Sequence, residues 1–138
     1  MTAPLQELDG APLAPLLNVT LARGEGPVIT PAEATDNPHL AIAPARIKGV
    51  MRWEWRGWFV VHIPTGRGVP MLEGGDVEVV RAMARLVAPM DWSSSDPEHY
   101  GKPLYRQACW EARARAWNDF ELGEGLAAAM DELMNGSP

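Results

Sequence analysis

Seven prolines, at positions 4, 12, 15, 27, 31, 38 and 44, and three glycines, Gly10, Gly24 and Gly26, punctuate the first 45 residues. Proline lacks the N–H that a helix interior needs and clashes with the preceding turn, so this spacing excludes a long helix from the first third of the chain. A Pro-rich extended arm over 1–45 is the expectation. Its apolar residues, among them Leu16, Leu17, Val19, Leu21, Val28, Ile29 and Leu40, are too many for a free tail, so the arm should pack along the domain or on a partner. Within it, Leu16 to Leu21 alternates as one short strand, and Thr30-Pro31-Ala32-Glu33 has the form of a capping box opening a single helical turn.

Residues 46–138 read as a single α+β domain. Ile47 to Trp55 has strand periodicity, with Ile47, Met51, Trp53 and Trp55 on one face and Lys48, Arg52 and Glu54 on the other. Arg56-Gly57 reads as a two-residue hairpin turn, since glycine takes positive φ freely, and Trp58 to Ile63 is the return strand. A second turn over 64–68 leads to a short strand, Val69 to Leu72, placed at a sheet edge because Pro70 cannot donate on both sides. Asp76 is a good N-cap for a helix ending at about Ala88, before Pro89. Pro103 suits the first turn of another helix, running to about Leu122 with Leu104, Ala108 and Ala112 as its inner stripe; Gly123 and Gly125 break it before a last short helix. The expected fold is therefore α+β: a small antiparallel three-stranded sheet (about 47–72) packed by a helix (76–88), then two C-terminal helices, with the arm in front.

One cysteine in 138 residues, Cys109, cannot form an intramolecular disulfide, and it reads as a small buried helix residue. The first ten residues contain Gln6, Glu7 and Asp9 in place of the cationic start and apolar run of a secretory leader, and no window approaches the ~20 apolar residues of a membrane span. A cytoplasmic protein without membrane contact is the expectation.

Three histidines, His39, His62 and His99, lie far apart without a helical pairing, so neither a metal nor another cofactor is expected. Gly66-Arg67-Gly68 and Gly74-Gly75 continue into no phosphate-binding fingerprint, and Asp76 at the helix start repels an anion. Glu121, Glu124, Asp131 and Glu132 read as solvated surface. No residue set carries a catalytic pattern, and the chain is read as a binding protein rather than an enzyme.

Charge distribution carries the functional expectation. The net charge is −6, yet residues 46–70 hold Arg46, Lys48, Arg52, Arg56 and Arg67 against Glu54, a local excess of +4. Trp53, Trp55 and Trp58 lie among these cations, the mixture that stacks bases and neutralises phosphates; the plainer reading gives the rings to the core and leaves a wet cationic face. Arg106, Trp110, Arg113 and Trp117 on the following helix offer a second Trp/Arg surface of the kind that forms interface hot spots. The run Trp58-Phe59-Val60-Val61-His62-Ile63-Pro64-Thr65-Gly66, with Asp91-Trp92 after a helix, is similar to stretches of small proteins from phages and GC-rich bacteria, and that similarity implies no activity. The expected function is a non-catalytic interaction protein, phage- or mobile-element-encoded, that binds nucleic acid or a nucleic-acid-handling protein through the basic hairpin. Two alternatives stand beside it: an acidic inhibitor docking on a basic groove, and a structural subunit whose arm lies on a neighbour.

Overall fold

Prolines exclude helix but not strand, and most of the described residues of the expected arm are sheet. The structure, a computed structural model, describes residues 14–22, 26–48 and 53–135, with side chains for 14–22, 26–44 and 57–121. Five strands, β1 (Leu16–Leu21), β2 (Val28–Ala34), β3 (Leu40–Lys48), β4 (Trp53–His62) and β5 (Arg67–Gly74), form one antiparallel sheet in the order β1-β2-β3-β4-β5. The three-stranded sheet expected over 47–72 is thus corrected to five. The capping-box reading of Thr30 to Glu33 fails for the same reason: these residues are extended in β2, and the Glu33 carboxylate leaves its own segment to reach a helix.

Two prolines set the shape of this sheet. The β2–β3 pairing consists of Glu33↔Ile42 and Ala34↔Ala41. Continuing that register would place Pro31 opposite Pro44. The bonds Ala34 N–H to Pro15 O (3.1 Å) and Ile63 N–H to His39 O (2.8 Å) fix the alternation of each ladder, and by that alternation both prolines turn their missing N–H toward the β2–β3 seam. The ladder has no donors there and stops. The β1–β2 hairpin is therefore free to roll over the sheet, and the Ala22 N–H bonds the Gly66 carbonyl at 2.8 Å in the turn between β4 and β5. Gly66 has φ +71, and a Cβ there would lie 2.6 Å from the Thr20 carbonyl oxygen, so the close approach needs glycine. The face enclosed by this roll holds Val19, Leu21, Ala32, Ala41, Ala43 and Val61, small enough for strands to come together.

A second correction concerns Arg56-Gly57. Ala45 pairs with Gly57 and Arg46 with Trp55, so Arg56 is the extra residue of a β-bulge inside β4, and Lys48 pairs directly with Trp53. The positive φ that suggested a turn, +112 at Gly57, serves the bulge instead, and a Cβ there would sit 2.5 Å from the Gly74 carbonyl oxygen. The expected face-sharing of Trp53 and Trp55 opposite Arg52 lies outside the described residues.

The other sheet face carries the helices. α1 (Val77–Val87) starts at Asp76, whose carboxylate accepts the Glu78 N–H at 2.8 Å. α2 (Pro103–Asn135) is one helix of 33 residues, so the expected break at Gly123 and Gly125 is absent; glycine lowers helix stability by about 1 kcal/mol, which continuing backbone bonds can outweigh, whereas proline would have stopped it. A 3-10 turn, Pro97–Gly101, precedes it. The core between the layers joins Leu40, Ile42, Trp58, Val60 and Leu72 to Val80, Met83 and Val87 of α1 and to Tyr105, Cys109, Ala112 and Ala116 of α2. The α2 stripe is rotated from the expected one: Leu104 is 72% exposed. The small Cys109, Ala112 and Ala116 let α2 lie close against α1.

Two polar ties fasten the rolled hairpin to α1. Arg81 holds Glu33 with two bonds, Nε to Oε2 at 3.0 Å and Nη2 to Oε1 at 2.8 Å, both side chains buried. The bond from Glu33 raises the Arg81 pKa further. The Asn37 amide donates to the carbonyls of Ala88 (3.0 Å) and Met90 (3.2 Å), capping the end of α1. No described helix is long and apolar enough to cross a membrane.

Candidate functional site

β5 is an edge strand with a defect. Phe59 pairs with Glu73 and Val61 with Gly68, so residues 69–72 stand opposite Val60 alone. Within that excursion Pro70 is followed by Met71 at φ +71, the order of a type II turn with methionine in the position that favours glycine. Holding a side chain in this left-handed region costs roughly 1–2 kcal/mol. Arg113 on α2 secures the excursion, its Nη1 donating to the carbonyls of Met71 (2.8 Å) and Glu73 (3.2 Å). Those two carbonyls, two residues apart on an outer strand, are ones an added strand would use, so Arg113 also guards the edge.

The bulged β5, the loop through Trp92, the 3-10 turn and the first turns of α2 enclose a groove of about 540 Å³. Its floor is formed by the buried side chains of His62, Val69, Trp92, Tyr105 and Cys109, and its walls by the half-buried Thr65, Met71 and Tyr100. Arg67 from β5 and Arg106 from α2 are exposed at its rim. A shallower hollow of about 450 Å³ shares Met71 and Arg106 with it and extends to Pro103, Gln107 and Trp110. Trp110 is 62% exposed.

An aromatic cluster stiffens the groove. Trp92 stacks on Tyr100 with ring centres 5.0 Å apart, and Tyr105 meets both edge-on at 5.1 and 5.0 Å. His62 Nε2 lies 2.7 Å from the Trp92 carbonyl, which can only accept; the proton is therefore on Nε2, and Nδ1 accepts from the Thr65 hydroxyl at 2.9 Å. Burial holds the imidazole pKa below its ordinary 6.5, and the bond to the Trp92 carbonyl only partly opposes this. The Tyr100 and Tyr105 hydroxyls donate to the carbonyls of Ser94 (2.9 Å) and Asp91 (2.6 Å), and Trp92 Nε1 donates to the Val87 carbonyl (2.8 Å). Burial pushes the Cys109 thiol up to about 11, where it is a poor nucleophile near neutral pH.

Of the ten residues that the sequence offered, the structure places Arg67 and Arg106 on this groove and Trp110, with Arg106, on the hollow beside it. Trp58 is 5% exposed and belongs to the core, and Trp117 is half-buried against Phe120, 5.9 Å away. Arg113 is committed to backbone carbonyls. The side chains of Arg46, Lys48, Arg52 and Arg56 lie outside the described residues. Arg67 and Arg106 form no ion pair with a described residue, the described pairs both belonging to Arg81. Sequence reasoning missed Met71, Tyr100, Tyr105 and the groove face of His62; the aromatic density from Trp92 to Tyr105 was the available signal. No three His, Cys, Asp or Glu side chains gather to hold a metal among the described residues. Compared with known proteins, the chain matches no family model, no curated protein and no solved structure.

Proposed function

We propose that this chain is a non-catalytic interaction protein that holds an extended anionic segment of a larger partner in the groove between β5 and α2. The observation that carries the reading is the meeting of Arg67 and Arg106, distant in sequence, across an aromatic-walled groove with no carboxylate from a described residue to neutralise them. Arginines without an ion-pair partner among the described residues, beside exposed tryptophan and buried tyrosine, form the composition of interface hot spots. Nucleic acid is anionic along its whole backbone, a protein that handles it can carry an acidic segment, and the cationic run over 46–70 adds to the attraction. The test is fluorescence anisotropy with two labelled probes, a decaglutamate peptide and a decathymidylate, on the full chain and on Arg67→Glu/Arg106→Glu. Binding of either probe that weakens with added salt and vanishes in the double variant supports the reading. Equal binding by the variant, or no binding of either probe at low salt, refutes it.

A further inference from the structure

Apart from the weakly bonding Cys109 thiol, the polar side-chain groups of the groove floor and walls have internal partners. The His62 ring nitrogens face Thr65 and Trp92, the tyrosine hydroxyls face Ser94 and Asp91, and the Trp92 indole N–H faces Val87. The carbonyls of Met71 and Glu73 on the β5 edge are taken by Arg113. A nucleobase pushed into this hollow would leave its hydrogen-bonding edge without partners, a penalty that an apolar group escapes. The surfaces still available are Val69, Met71 and the tyrosine rings below, with two guanidinium groups above.

Resting on the groove as the contact surface, we infer that its occupant is a peptide segment in which one large apolar side chain is flanked by carboxylates. The apolar side chain enters between Val69, Met71, Tyr100 and Tyr105, and the flanking carboxylates reach Arg67 on one rim and Arg106 on the other. Charge complementarity selects the flanks, and the commitment of the His62, Tyr100, Tyr105 and Trp92 donors to internal partners selects the anchor. Arginine pairs well with carboxylates because its planar donors match both oxygens.

The experiment compares three labelled probes on the full chain by fluorescence anisotropy: an acetylated pentapeptide with a central phenylalanine between two pairs of acidic residues, the same peptide with central alanine, and a decathymidylate. The phenylalanine peptide should bind at least about tenfold more tightly than the alanine peptide, in keeping with burial of a whole aromatic side chain. Arg67→Gln and Arg106→Gln, both at exposed positions, should each weaken it several-fold without moving the thermal midpoint. Gly101 lines the groove, and a Cβ added there meets no atom within 4 Å; Gly101→Leu should therefore fold and erase the preference for phenylalanine. Equal affinity for the two peptides overturns the inference. Tighter binding of the decathymidylate than of the phenylalanine peptide also overturns it while leaving the groove reading intact, and failure of all three probes removes both.

Discussion

Removing the Glu33 carboxylate tests how the rolled hairpin is held. Glu33→Ala leaves the Arg81 guanidinium, 5% exposed, with Glu78 on the solvent side as its remaining ion-pair partner among described residues. Breaking a buried pair by deleting one member costs about 3–5 kcal/mol, and because Glu78 still offers partial compensation the lower end, about 3 kcal/mol, applies. For a chain of this size each kcal/mol moves the thermal midpoint by roughly 3–4 °C, so a drop of about 10 °C is expected. Urea unfolding at pH 7 gives the free energy, and the loss should persist in about 0.5 M salt because a buried pair is poorly screened. Glu33→Leu/Arg81→Leu should lose less than Glu33→Ala alone, since it removes both members of the buried pair together. Native-state hydrogen exchange should show β1 and β2 opening before the rest, because β2 is joined to β3 by two register pairs. A loss under about 1 kcal/mol, or one abolished by salt, would mean that the pair is not shielded from water and that the hairpin is held by its apolar face.

Three further perturbations follow from the same geometry. Asn37→Ala deletes both bonds to the Ala88 and Met90 carbonyls and should cost about 1–2 kcal/mol by urea denaturation; Asn37→Asp should do no better, since a carboxylate cannot donate and meets the negative end of α1. His62, with its folded pKa below the ordinary 6.5, binds fewer protons folded than unfolded, so its contribution to stability is present above about pH 6.5 and lost as pH falls through the folded value; the urea midpoint should decline from pH 7.5 to pH 5, and less so in His62→Gln. Gly57→Ala meets both a positive φ and the Gly74 carbonyl and should cost roughly 2–4 kcal/mol, whereas Gly75→Ala, where an added Cβ meets nothing within 4 Å, should stay within about 0.5 kcal/mol; equal costs would contradict the bulge.

Features written in consecutive residues were legible before the structure. Asp76 followed by Glu78 and a valine stripe gives α1 with its cap in place, Leu16 to Leu21 is a strand, and Cys109 is buried. What escaped was written in pairs distant along the chain. Glu33 reads locally as the end of a capping box, and only its bond to Arg81, 48 residues on, explains why it is extended. Gly57 advertises positive φ, which serves a turn and a bulge equally well; the partner strand decides. Gly123 and Gly125 lower helix propensity without forbidding helix, and α2 runs through them. The groove is still less legible, because Arg67 is supplied by a hairpin and Arg106 by a helix that no local pattern joins.

Two strand prolines and one β5 irregularity connect that illegible part to the legible one. Pro31 and Pro44 would face each other across β2 and β3, each without an N–H to give, and the ladder ends there. Because it ends, the β1–β2 hairpin rolls inward until Ala22 reaches Gly66, which anchors the turn leading into Arg67. At the opposite edge the β4–β5 ladder is interrupted as well: residues 69–72 stand opposite Val60 alone, and Met71, after Pro70, takes its left-handed conformation. The excursion lines one side of the groove beside α2, and Arg113 occupies the Met71 and Glu73 carbonyls on the β5 edge. Prolines that exclude a long helix from the first third of the chain therefore also mark where the β2–β3 ladder ends, while the candidate binding surface lies at the interrupted β4–β5 pairing on the other edge.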